Sequence, residues 1–169
     1  MVDNFKLTTE GVLIIASSNS LKRKYENEEF EYDFPDGINP LMMDNSIIAI
    51  TNSGGDNLLV NFLLEKHIDV TKFDKVIEQS IELSEIDELL ILSHTDFTMI
   101  CSKDGNYKNE KCWPIKFSNP IEKGKYLVQI AIIDVEEDFE KYNAYFKVTI
   151  NLIKKTEQLT PNFVCELCE

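Results

Sequence analysis

Few side chains in this sequence have the type and spacing that catalysis requires. Its histidines are His67 and His94, and a hydroxyl or thiol becomes a nucleophile only when a base is held beside it. Ser93 precedes His94, but adjacency in sequence does not make a dyad, and both histidines are expected on the surface or in loops. Cys165 and Cys168 form a CxxC pair, and Cys101 and Cys112 would complete a four-thiolate zinc set. A redox CxxC opens a helix after a strand, where the helix terminus lowers the thiol pKa, whereas this pair stands at the extreme C-terminal end of the sequence. Reduced, unpaired thiols are the expectation. Gly54 and Gly55 are followed by Asp56 and by no Lys-Ser or Lys-Thr pair, so no phosphate-cradling loop is implied. No catalytic residue, metal ligand or cofactor is assigned, and the chain reads as a binding protein and not as an enzyme.

The densest group of ionisable residues is acidic. Asp134, Glu136, Glu137, Asp138 and Glu140 fall within seven positions between the two clearest strand patterns. Such a run forms a solvated loop by default. It also suits a calcium-dependent binding module, because hard cations gather several carboxylates from one loop, although the usual Asp, Asn and Gly alternation is missing. The third reading is an acidic surface for a basic partner, supported by further acidic segments at 26–36 and 74–88. These five residues are the candidate partner-binding set.

The whole chain shares that sign. Thirty acidic and 17 basic residues give a net charge of -13, which repels nucleic acid and anionic lipid and attracts a basic surface, such as the groove of a nuclease. With 43% hydrophobic and 10% aromatic residues in 169 positions, the sequence is that of one folded domain and not of a disordered chain. The longest early apolar run, residues 12–16, is far short of a membrane helix or a leader core, so a cytoplasmic protein is expected.

Strands must position the acidic group. Residues 12–17, 47–51 and 58–64 are apolar runs of strand length, the last two joined by a turn-rich segment that predicts a hairpin. In the last run Leu58, Val60, Phe62 and Leu64 share one face, and Leu59, Asn61 and Leu63 the other. Residues 73–83 alternate as a strand, with a short helix as the competing expectation between residues 73 and 92. Residues 113–117, 126–133 and 144–152 also alternate, whereas 19–31 read as an exposed loop. Strands and loops without a strand-helix rhythm predict a mainly β protein, an antiparallel β-sandwich. Its core is placed at 46–152, with a candidate N-terminal extension at 1–45 and a C-terminal tail at 153–169.

From Ser46 onward the order of features resembles the competence-associated inhibitors of the bacterial DNA-entry nuclease and related toxin-immunity proteins. The residues that carry it are the strand at 46–51, the turn and strand at 57–64, the run at 73–83 and the segment Pro-Ile-Glu-Lys-Gly-Lys-Tyr-Leu-Val at 120–128. The resemblance implies a bacterial β-sandwich that binds and blocks a nuclease or other toxin. It carries over no individual inhibitor residue.

Overall fold

A computed structural model of the chain describes residues 3–26, 36–52, 57–86, 89–101, 117 and 119–166. The period-two alternation read from the sequence becomes one wall of a sandwich. Strand β4 (Asn57–Leu64) turns Leu58, Val60 and Phe62 inward, β7 (Gly124–Asp134) turns Tyr126, Val128, Ile130 and Ile132, and β8 (Phe146–Lys155) turns Val148, Ile150 and Leu152. With β1 (Asp3–Thr8) and β5 (Lys75–Leu83) they form a five-stranded sheet in the order β1-β4-β8-β7-β5. Facing it is a four-stranded sheet ordered β6-β2-β3-β9, made of β6 (Leu89–Ser93), β2 (Val12–Ser17), β3 (Ile47–Thr51) and β9 (Cys165–Glu166). Leu13, Ile15, Ile48 and Ile50 of the second sheet pack against the inward residues of the first. Each such fully buried side chain contributes about 1.5–3 kcal/mol.

The expected β-sandwich is therefore present, but its sheets are mixed. β4 pairs with β8 in parallel and β3 pairs with β9 in parallel, while the other ladders are antiparallel. A third layer lies behind the second sheet. Helices α1 (Ser18–Tyr25), α2 (Asn39–Met43) and α3 (His94–Cys101) pack Leu21, Tyr25, Leu41, Met42, Phe97 and Ile100 onto the outer residues Ile14, Ala16, Ala49 and Leu92. β2 is thus buried along its whole length, which explains its unbroken apolar run.

Three local expectations give way. Part of the segment expected as an exposed loop is helix α1: the Ser17 side chain accepts from Ser20 N, and Leu21 and Tyr25, four residues apart, are both buried on one face. Between residues 73 and 92 the competing helix is absent from the described residues, which form β5 and β6, because Ile77, Ile81 and Leu83 all face the core in strand register. The strands at 47–51 and 58–64 do not pair with each other, since β3 belongs to one sheet and β4 to the other. The expected strand at 113–117 lies outside the described residues except for Phe117, whose ring meets that of Phe62 at 4.2 Å.

Residues 3–17 supply a strand to each sheet, and the C-terminal segment is tied into both. Asn162 Nδ2 donates to Ile47 O at 2.8 Å and to Ser80 O at 2.6 Å, while Asn162 Oδ1 accepts from Ser80 N at 2.8 Å. Glu82 N, also on β5, donates to Asn45 O. The edge strand β5 is in this way occupied at positions where open backbone groups would invite another chain.

Candidate interaction surface

All five predicted partner-binding residues fall on the connection between β7 and β8, and all five are exposed. Asp134 is the last residue of β7; Glu136–Asp138 make one 3-10 turn, and Glu140 belongs to the single-turn helix α4 (Phe139–Tyr142). Asn143 ends that helix in the left-handed region, φ 49°, where Asn is among the residues best tolerated. Val135 N donates to Tyr145 O at 2.8 Å, and the Phe139 and Tyr145 rings meet at a tilt with centroids 4.7 Å apart, which fixes the base of the hairpin. The acidic group is therefore held on a short, ordered connection.

The sheet brings the first residue of a second acidic segment to it, while Glu78 and Glu82 run away along β5. Asp134 N donates to Asp74 Oδ2 at 2.8 Å, and Asp134 Oδ1 in turn accepts from Glu136 N at 2.8 Å. Asp74 opens the 74–88 segment, and Asp74 N donates to Ile132 O at 2.9 Å. One end of the five-stranded sheet thus carries Asp74 together with the hairpin carboxylates. Most of the 26–36 segment lies outside the described residues. No group of three His, Cys, Asp or Glu side chains with metal-ligand geometry occurs among the described residues, and the alternative calcium reading gains no support from the hairpin.

The outer face of the same sheet is crossed by the chain itself. Residues 65–74 run from the end of β4 to the start of β5, over β8 and β7. Asn151 on β8 is buried beneath them: its Nδ2 donates to Lys66 O at 2.7 Å and to Gln129 Oε1 at 3.2 Å, and its Oδ1 accepts from Lys66 N at 3.2 Å. Gln129 Nε2 donates on to Glu78 Oε1 at 2.9 Å. Beside the crossover, Asn61, Leu63 and Thr149 of the sheet and His67, Ile68, Asp69, Lys72 and Phe73 of the connection line a cavity of about 420 Å³. Asp69 is engaged there by Thr71, at 2.7 Å from its hydroxyl, and by Lys72 at 3.5 Å, so its carboxyl is held below the usual range, chiefly by the Thr71 hydroxyl.

Between cavity and hairpin stands a cationic cluster that the sequence pattern did not single out. Lys147 Nζ lies 3.5 Å from the centre of the Tyr142 ring and Lys141 Nζ 4.7 Å. The two ammonium groups, Lys141 first, lower the phenol's pKa, and Lys141 is itself raised by Tyr142 and, less strongly, by Asp138.

The same architecture occurs in a solved inhibitor, ComJ from Bacillus subtilis, described as the inhibitor of the DNA-degrading activity of NucA. The fold resembles that of ComJ. The two superpose with a TM-score of 0.54 at 11% identity, over 92% of this chain and 99% of ComJ. The product of crocagin biosynthetic gene J gives a TM-score of 0.56 at 12% identity, over 89% of this chain and 96% of its own. The sequence matches no protein-family model and no curated protein sequence. At such identities the likeness to ComJ is one of fold. Residues 46–169 make up fewer than three quarters of the chain, so the ComJ match must take in much of the first 45 residues as well.

The remaining candidates for chemistry are scattered. His67 is exposed on the crossover. His94 opens α3 behind the other sheet, next to Ser93, whose Oγ donates to Asp96 Oδ2 at 3.0 Å and accepts from Asp96 N at 3.1 Å. That hydroxyl caps a helix. Cys101 lies in the helical layer and Cys165 against the sandwich core, on opposite sides of the four-stranded sheet. Burial raises the Cys165 thiol's pKa. Cys112 and Cys168 lie outside the described residues. No helix among the described residues is long and apolar enough to cross a membrane.

Proposed function

We propose that this protein is an inhibitor or immunity protein that binds and neutralises a basic protein partner, a bacterial nuclease toxin being the favoured class. The observation that carries this reading is the junction of Asp74 with Asp134, which sets a further carboxylate beside the acidic hairpin at one end of the five-stranded sheet. The carboxylates of Asp134, Glu136, Glu137, Asp138 and Glu140 would meet Lys and Arg side chains of the partner, speed the encounter and place an ordered hairpin against the partner's cationic groove. The likeness in fold to ComJ supports the same class of partner, and the cytoplasm is the compartment in which such a protein would guard its own cell. The reading makes the chain a binding protein without a cofactor.

The test is direct. The purified protein is titrated into a basic nuclease encoded beside it, and DNA degradation and association rate are measured from low to high salt. Inhibition at about equimolar protein, with an association rate that falls steeply as salt rises, is the expected outcome. Binding that is indifferent to salt would sink the electrostatic role of the hairpin, and absence of inhibition would sink the function.

A further inference from the structure

On the outer face of β1, β4 and β8 the charged side chains Lys6 and Lys147 are cationic, opposite to the charge of the chain as a whole. Residues two apart on a strand share a face, and the β4–β8 register sets Leu59 beside Lys147 and Asn61 beside Thr149. On the far side Lys6 pairs with Leu59 across β1. One row of the sheet therefore reads Lys6, Leu59, Lys147. Lys147 lies against Tyr142, which Lys141 approaches as well. The next row, Asn61 and Thr149, forms the floor of the 420 Å³ cavity, with Leu63, Ile68 and Phe73 as apolar wall. The one carboxylate that lines the cavity, Asp69, is already taken up by Thr71 and Lys72.

We propose that this face is a docking groove for an extended acidic segment of a protein partner, with an apolar side chain in the cavity and a carboxylate at Lys147 and Lys141. The spacing fits such a segment. Alternate residues of an extended chain are separated by about 6.6 Å, the same step that separates Thr149 from Lys147 on β8. A concave apolar site with a few polar groups on its floor is the usual form of a pocket that takes one anchoring side chain. The complementarity is local and centred on Lys147, which belongs to the face of the sheet, whereas Lys141 belongs to the hairpin beside Glu140 and Asp138. A segment of opposite character, rich in Lys, would meet Lys6, Lys141 and Lys147 and be turned away. This surface adjoins the acidic hairpin at Lys141 and does not depend on the function proposed above.

The experiment uses the ¹⁵N-labelled full chain and three probes: the peptide acetyl-Ser-Phe-Ser-Asp-Ser-amide, its counterpart with Lys in place of Asp, and an oligothymidylate of eight nucleotides. The acidic peptide is expected to shift the amide resonances of Asn61, Leu63, Phe73, Thr149 and Lys147 saturably. The Lys141→Glu/Lys147→Glu double variant should weaken that binding at least tenfold, and Asn61→Trp, which fills the cavity without adding charge, should do the same. Both variants are checked for unchanged circular dichroism. Equal shifts with the basic peptide, retention of binding in the double variant, or no shift at these residues would overturn the proposal. Stronger shifts with the oligothymidylate would replace the peptide by a nucleic acid and overturn it too. Because the hairpin carboxylates are intact in these variants, a failure here is distinguishable from a failure to inhibit a nuclease.

Discussion

The side-chain amide of Asn162 engages both backbone groups of Ser80, accepting from Ser80 N at 2.8 Å and donating to Ser80 O at 2.6 Å. With its further bond to Ile47 O, one side chain ties the edge of the five-stranded sheet to the start of β3 in the other.

Asn162→Ala should therefore destabilise the fold by about 1–3 kcal/mol, the cost of leaving buried backbone groups unpartnered. It should also expose the β5 edge and raise the tendency to self-associate. Urea denaturation gives the first quantity and light scattering the second. Asn162→Asp should be worse than alanine, since a carboxylate cannot donate to Ser80 O and Ile47 O and would be buried with a charge.

Asn151 holds the crossover as Asn162 holds the edge. Asn151→Ala removes the partner of Lys66 N and Lys66 O and should cost about 1–3 kcal/mol. Faster hydrogen exchange is expected at residues 66–73, with exchange in β2 unchanged. Uniformly faster exchange would show that the amide acts on global stability alone.

Burial lowers the pKa of His94, and Glu10 offsets that only in part. A histidine whose folded pKa lies below its unfolded value contributes stability that is present above the unfolded pKa, about 6.5, and lost as pH falls toward the folded one. The wild-type protein should lose more stability between pH 7 and pH 5 than His94→Gln does. Matching slopes of melting temperature against pH would refute this.

The quadruple variant Glu136→Gln, Glu137→Gln, Asp138→Asn, Glu140→Gln should fold normally, since all four side chains are exposed. Its association with a basic nuclease should slow by tenfold or more at low salt and approach the wild-type rate at high salt. Stopped-flow fluorescence at two ionic strengths decides the matter.

The strands were readable because each turns one set of alternating residues to the core. β4, β7 and β8 stand in the structure at almost the limits that the alternation of inward residues such as Val60, Val128 and Val148 implies. Helix α1 was hidden by its charged residues, Lys22, Arg23 and Lys24, although Ser17 as a cap and the spacing of Leu21 and Tyr25 signal it. Pairing was not legible, since apolar runs such as 47–51 do not name their neighbours and both sheets accept them. The acidic hairpin was visible as a run of like residues. Its juxtaposition with Asp74, the cationic group around Tyr142 and the buried role of Asn162 depend on contacts between distant segments, for which a single polar residue leaves no trace in sequence.

The parallel pairing of β4 with β8 has a kinetic consequence. Val60 and Val148 are neighbours across that ladder yet 88 positions apart in the chain, so the centre of the larger sheet closes only after a long loop has been ordered. Contacts of this range slow folding to the scale of milliseconds to seconds. The β7–β8 hairpin needs no such closure and is the natural nucleus. The acidic connection would then be shaped early in folding, on a strand pair that waits for β4 to arrive.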